Sequence, residues 1–264
     1  MPWRTTTPVT AQSAPAAAIV ALPDAQRVTE QADAYLQAQV RYDMFSGTAL
    51  IVRDGEPVFV KSYGMANYEL GAPNTADTTY LLGSLVKQLT AVAILQLQER
   101  GKLKTADPVC RYLEDCPASW AGITLHHLLT HTSGIPNFSS LPDWDEKLAM
   151  LDYTRPELVA LFRNLPLEFA PGEKFDYSNS GYALLGLIIE KVSGQRYDEY
   201  LNDQIFKPAG MAHTRSRATR AQLPGRASGY YSVGTDFING RLVSPTTDIG
   251  ASGIYSTVGD LLLW

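Results

Sequence analysis

An α+β fold is what this chain predicts, and three features of the sequence carry that expectation. A stretch around Asp54–Gly55 reads as a two-stranded hairpin. Segments with helical spacing dominate from residue 84 onward. Strands do not alternate with helices as parallel βαβ units require. With 264 residues, 45% hydrophobic and 19% charged, the chain has material for one large domain or a two-lobed one.

The elements follow in order. Residues 1–23, rich in Ala, Pro, Thr and Ser, read as a leader or signal remnant outside the fold, which leaves 24–264 as the folded domain. Asp24 to Tyr42 carries Val28, Ala32, Tyr35, Leu36 and Val40 at helical spacing, an amphipathic helix. Gly47 to Gly64 forms the hairpin, and residues 65 to 83 read as loop. From Ser84 to Arg100 the pattern is apolar almost all round, as in a core helix, with Gly101 as its stop. Further helices are expected at Thr124–Leu129, Arg155–Asn164, Gly181–Val192, Tyr197–Ile205 and from about Thr257.

Composition removes several function classes. A net charge of -5, with Arg215, Arg217 and Arg220 as the one local basic cluster, gives no nucleic-acid footprint; the cluster reads as a solvated loop. No apolar run is long enough to span a bilayer. His127 and His131 are four apart, but the glutamate of a zinc-protease helix is missing, so packing is the expected role and no metal is called for. Neither a G-x-S-x-G elbow nor a glycine-rich phosphate loop is present, and no cofactor is implied. Cys110 and Cys116, six apart, are compatible with a bridge in an oxidising compartment and equally with two buried thiols.

One segment conflicts with its own local physics. In Leu82-Gly-Ser-Leu-Val-Lys-Gln-Leu-Thr-Ala91, Lys87 puts a cation in the first turn of an apolar helix. A capping box would place Glu or Gln three residues after Ser84, and the helix dipole disfavours a cation there by roughly 0.3–1 kcal/mol. Apolar surroundings lower a lysine pKa. Residues three apart share a helix face, so the amine reaches the Ser84 hydroxyl and can act as the base a serine nucleophile needs. The helix start adds N–H groups for an oxyanion. Ser84/Lys87 is the sole S-x-x-K in the chain. The plainer alternative makes Ser84 a helix cap.

A second constellation, Tyr177-Ser178-Asn179, follows the Pro171-Gly172 turn and precedes an apolar helix. The phenol could relay a proton, and the Asn179 amide could orient a substrate carbonyl or the lysine. Tyr200-Leu201-Asn202 repeats the spacing inside a segment of amphipathic helical pattern and reads as structural.

With both constellations in this order, the chain resembles the serine β-lactamase and penicillin-binding-protein superfamily, and within it the class C β-lactamase and esterase branch. Four segments carry the likeness: LGSLVKQLTA, ITLHHLLTHTSGIP, FAPGEKFDYSNSGYALLGLIIEKVSG and GASGIYSTVGDLL. It runs from about residue 28 to the end. The resemblance implies an antiparallel sheet flanked by helices plus an all-helical lobe. It also implies a hydrolase in which Ser84 is acylated, Lys87 and Tyr177 share the proton transfers, and Asn179 contacts the substrate or holds Lys87. The Ser84 N–H would be half an oxyanion hole. Substrates would be small esters, β-lactams or D-Ala peptides, in the order esterase, β-lactamase, D-alanyl carboxypeptidase. A non-catalytic binding protein on the same scaffold is the competing class. The setting would be periplasmic or secreted.

The resemblance also implies a K-T-G, H-x-G or W-x-G tripeptide on a late strand, and none follows Tyr177. Lys104-Thr105-Ala106 and Trp120-Ala121-Gly122 look like it but come too early. With one hairpin visible of an expected five-stranded sheet, the domain is expected to be incomplete at its C-terminus.

Overall fold

The computed structural model describes residues 25–217, 222–234 and 236–264. The expected leader and Arg220 of the basic cluster lie outside these residues. Two compact units appear, one ending at Thr78 and the other running from Thr79 to Trp264.

In the first unit, helix α1 (Ala25–Arg41) packs along a hairpin of β1 (Gly47–Arg53) and β2 (Glu56–Tyr63). Asp54 and Gly55 both take positive φ, 53° and 83°, the backbone that matches a tight turn to the strand twist. Asp33 on α1 accepts from Lys61 Nζ (2.7 Å) and Tyr63 Oη (2.6 Å) on β2, and these bonds hold its carboxyl below the usual range. The segment read as loop contains a further short ladder, β3 (Met65–Asn67) with β4 (Ala72–Pro73).

The second unit holds the helices. It opens on β5 (Tyr80–Leu81) and a 3-10 turn, Gly83–Leu85, which runs into α2 (Val86–Glu99). Then come α3 (Leu125–Leu129), α4 (Arg155–Arg163), α5 (Asn179–Ser193), α6 (Tyr197–Leu201) and α7 (Lys207–Ala209), the last two joined by a π turn at Asn202–Phe206. Strands β6 (Arg215–Ser216), β7 (Tyr230–Val233), β8 (Asp236–Asn239) and β9 (Ile254–Ser256) precede α8 (Val258–Leu263). The sequence thus under-reported strands: β7 pairs with β8, and β9 lies between β5 and β6, antiparallel to both. Two- and three-residue strands are too short to show a period of two, so pairing alone reveals them.

Val86, Leu89, Ala93, Ile94 and Leu97 of α2 pack with Leu184, Leu185, Ile188 and Ile189 of α5 in one core that also includes Trp120, Phe162 and Tyr200. The segment read as one helix from Ser84 is not buried all round as its composition suggested: Leu85 in the turn and Leu95 in α2 face solvent. Its end is as expected, with Gly101 at φ 67° donating to the Gln98 carbonyl and Lys102 donating to that of Leu97. Tyr200 is 1% exposed, as befits a structural residue. Of the basic cluster, Arg215 is exposed as a solvated residue would be, but Arg217 is not: its guanidinium pairs with Asp248 at 2.6 Å and is largely covered.

Cys110 and Cys116 are joined in a disulfide, which resolves the open choice between bridge and thiols. Their loop is tied to α5 by Lys191–Glu114 (2.9 Å) and to α4 by Arg163–Asp115 (3.8 Å). A bridge closing so short a loop removes about 2 kcal/mol of unfolded-chain entropy. Denaturant titration of a Cys110→Ser/Cys116→Ser chain should therefore show a stability loss of about that size; an unchanged midpoint would mean that the loop is held by its ion pairs alone.

Candidate active site

Ser84, Lys87, Tyr177 and Asn179 meet at one place in the second unit. Ser84 lies in the 3-10 turn, immediately after a strand whose register is fixed by pairing Leu81 with Tyr255 and by the Leu82 N–H donating to the Ile254 carbonyl (2.9 Å). Its side chain makes no capping bond, and the residue flanking α2 is Leu85, so the capping alternative does not hold. The first N–H groups of such a turn have no acceptor within it.

Tyr177 Oη donates to Ser84 Oγ at 2.7 Å, and Lys87 Nζ lies 3.3 Å from the same oxygen. Exposure divides the site: Ser84 is exposed and Tyr177 is 38% exposed, whereas Lys87 is only 7% exposed. The amine is thus beneath an open hydroxyl. Burial pushes the Lys87 ammonium below the usual lysine range, with the Tyr177 phenol pulling partly the other way.

Lys87 has two further partners, and neither can donate to it. Nζ reaches Asn179 Oδ1 at 2.7 Å and the Ala251 carbonyl at 3.1 Å. The Asn179 amide is oriented by its Nδ2, which donates to Ser139 Oγ (2.8 Å). A neutral amine has two N–H bonds and one lone pair. With both N–H bonds given to Asn179 and Ala251, the lone pair is left for the Ser84 hydroxyl proton, the geometry required of a general base.

The residues that hold Tyr177 and Asn179 in place come from the segment after α3. Ser178 caps α5, accepting from the Gly181 N–H (3.3 Å) and donating to the Ile135 carbonyl (3.2 Å). Asn137 Oδ1 accepts from the Asn179 N–H, and Ser180 Oγ donates to the Pro136 carbonyl and accepts from the Phe138 N–H. His131, at φ 57°, accepts the Ser178 N–H on Nδ1 (3.1 Å) and sets its ring 4.5 Å from that of Tyr177 and 5.0 Å from that of Tyr182. Burial lowers its pKa and favours the neutral ring that this bond needs. Gly134 is required here, since a Cβ would sit 2.2 Å from the Phe169 carbonyl oxygen.

Sequence reasoning named the four central residues and missed His131, Asn137, Ser139 and Ala251. His131 was visible only as one of a spaced histidine pair, and Ala251 acts through its backbone, which no residue type announces. Neither tripeptide look-alike belongs to the site: Trp120 is a core residue, and Lys104 opens a loop where its N–H donates to Asp107. A cavity of about 460 Å³ beside the disulfide, walled in part by Cys116, Trp120, Val159 and Leu187, includes none of the four.

Known proteins of similar sequence and shape place this arrangement in context. A family model described as Beta-lactamase matches residues 25–264. PbpX of Bacillus subtilis (strain 168) is 38% identical over 222 residues, covering 82% of this chain and 53% of that protein. Among solved structures, a penicillin-binding protein from Bacillus halodurans superposes with a TM-score of 0.73 at 32% identity, over 87% of this chain and 70% of that one. A class C β-lactamase superposes at 0.75 with 25% identity, over 91% and 64%. The chain spans about half the length of the curated relatives it matches.

Because the Lys87 pKa is lowered on folding, the unfolded chain binds more protons between the folded value and the ordinary lysine value. Stability contributed at this site must then rise with pH through that window. Compared with a Lys87→Met chain, the wild type should gain in unfolding free energy from pH 7 towards pH 10; a gap that is flat or closes would show that the amine is not desolvated.

Proposed function

The chain belongs to the β-lactamase family of serine hydrolases, and on that footing we propose that it is an acyl hydrolase acting through a covalent ester on Ser84, with small esters as preferred substrates. The observation that carries this reading is the arrangement around Ser84 Oγ, with Tyr177 donating at 2.7 Å and the partnered Lys87 amine at 3.3 Å.

In the acylation step, the Lys87 lone pair takes the Ser84 proton as Oγ attacks the substrate carbonyl carbon. The carbonyl π pair moves onto oxygen, where the Ser84 N–H at the turn's start stabilises the charge. Collapse of this intermediate expels the leaving group, which takes its proton from Tyr177, and Lys87 returns one to the phenol. Water then attacks the acyl ester with the same groups as base and acid. Asn179 holds the amine through Oδ1.

Esters are favoured over amides because an alkoxide leaving group needs less help from the acid than an amine does. β-Lactams and D-Ala peptides are the second reading, supported by the relatives described above as penicillin-binding proteins and a class C β-lactamase. Residues 25–264 are taken as one catalytic domain, in line with the span of the family match. The disulfide supports a periplasmic or secreted setting. Among the described residues no helix is long and apolar enough to cross a membrane.

Intact-mass analysis after mixing with a short-chain p-nitrophenyl ester, and separately with a chromogenic cephalosporin, tests the reading. The expected result is one acyl adduct on Ser84, faster from the ester. Ser84→Ala should lose the adduct while unfolding within about 0.5 kcal/mol of wild type, because the side chain is exposed. Tyr177→Phe should slow acylation by about 10²–10⁴-fold. An adduct formed equally well without the Ser84 hydroxyl removes this residue from the mechanism.

A further inference from the structure

The direction of the Lys87 lone pair depends on a carbonyl, that of Ala251, and a carbonyl has to be held by its own loop. The segment Asp248–Gly253 does this by folding on the Asp248 carboxylate. Asp248 Oδ1 accepts from Ser252 Oγ at 2.5 Å, and Oδ2 accepts from Arg217 Nε at 2.6 Å. The Asp248 carbonyl accepts the N–H groups of Ala251 (3.0 Å) and Ser252 (2.9 Å), which fixes the peptide planes on either side of the Ala251 Cα, the second of which carries the Ala251 carbonyl.

The surroundings leave the loop little freedom. Arg217 continues β6 beside β9, donating its own N–H to the Gly253 carbonyl (2.9 Å) and Nη2 to the Val243 carbonyl (2.5 Å). Gly253 sits at φ 85° against Asp248, and a Cβ there would lie 2.4 Å from the Asp248 Cβ. On the other side, Thr90, one helical turn after Lys87, donates to the Gly250 carbonyl at 2.7 Å. Two successive carbonyls of this loop therefore meet two residues on one face of α2.

We propose that Asp248, braced by Arg217 and Ser252, is a positioning residue for the Lys87 base. It touches none of the reacting atoms. By fixing the Ala251 carbonyl it commits one N–H of the neutral amine and turns the lone pair towards Ser84. This inference rests on the acyl-enzyme reading above. Removal of the brace lets the carbonyl swing away, the amine rotates, and proton abstraction slows, while the open face that receives substrate stays as it was.

The test is stopped-flow acylation by p-nitrophenyl acetate, with the adduct on Ser84 verified by intact mass. Asp248→Asn keeps the shape but removes the negative charge that pairs with the Arg217 guanidinium and turns one of the two accepting oxygens into a donor. It should reduce the limiting acylation rate at least tenfold, with the substrate half-saturation constant within twofold of wild type. Ser252→Ala, which removes one bond and is expected to fold whatever becomes of Asp248→Asn, should give a smaller loss in the same direction. Arg217→Lys, keeping the charge, should recover most of what Arg217→Ala loses. If wild type forms no adduct, the hydrolase reading falls and takes this inference with it. If wild type acylates and the folded brace variants acylate at its rate, or lose activity only through weaker substrate binding, Asp248 serves the fold alone and this inference falls by itself.

Discussion

One buried amine organises the second unit. Lys87 stands in the first turn of α2, where the helix dipole opposes a cation, and at a depth where water solvates one poorly. Both effects favour the neutral form. What makes this more than a cost is the identity of its partners. Asn179 Oδ1 and the Ala251 carbonyl can only accept, so they spend the amine's donors and leave its lone pair facing a hydroxyl. The same groups would satisfy an ammonium equally well, and such a site can therefore hold the proton it has taken.

The rest of the unit serves to bring three distant segments to that amine. The β5–β9–β6 ladder delivers two of them. Its pairing places the Ser84 turn at the end of one strand and the Asp248–Gly253 loop at the start of the next, so a register fixed by a few backbone bonds brings together residues 164 positions apart. α5 delivers the third, and its first turn is interlocked with residues 131–139 through side chains that bond to backbone in both directions. Those bonds lie in well-packed surroundings, where a shift of one residue would leave several polar groups unsatisfied.

Exposure is distributed in keeping with this. The amine is covered, the hydroxyl and phenol face solvent, and the histidine behind the phenol is held neutral by burial. Under the proposed acyl-hydrolase reading the base is to be shielded and the nucleophile open; the fold sets the serine in a 3-10 turn that lifts it out of the core and the lysine one turn on, where α2 already packs against α5.

The sequence by itself determined the fold class, most helices to within a residue or two, and four side chains that the structure brings together. It could do so because these rest on local signals: helical periodicity, a Gly stop, and a lysine placed against the dipole. Tertiary structure alone decided the short strands, the disulfide, the exposure of Leu85 and Leu95, and the burial of Arg217 in an ion pair. It also decided which carbonyl the lysine meets. These depend on segments far apart in the chain, and a backbone carbonyl is the same in every residue, so nothing in the order of side chains could announce it.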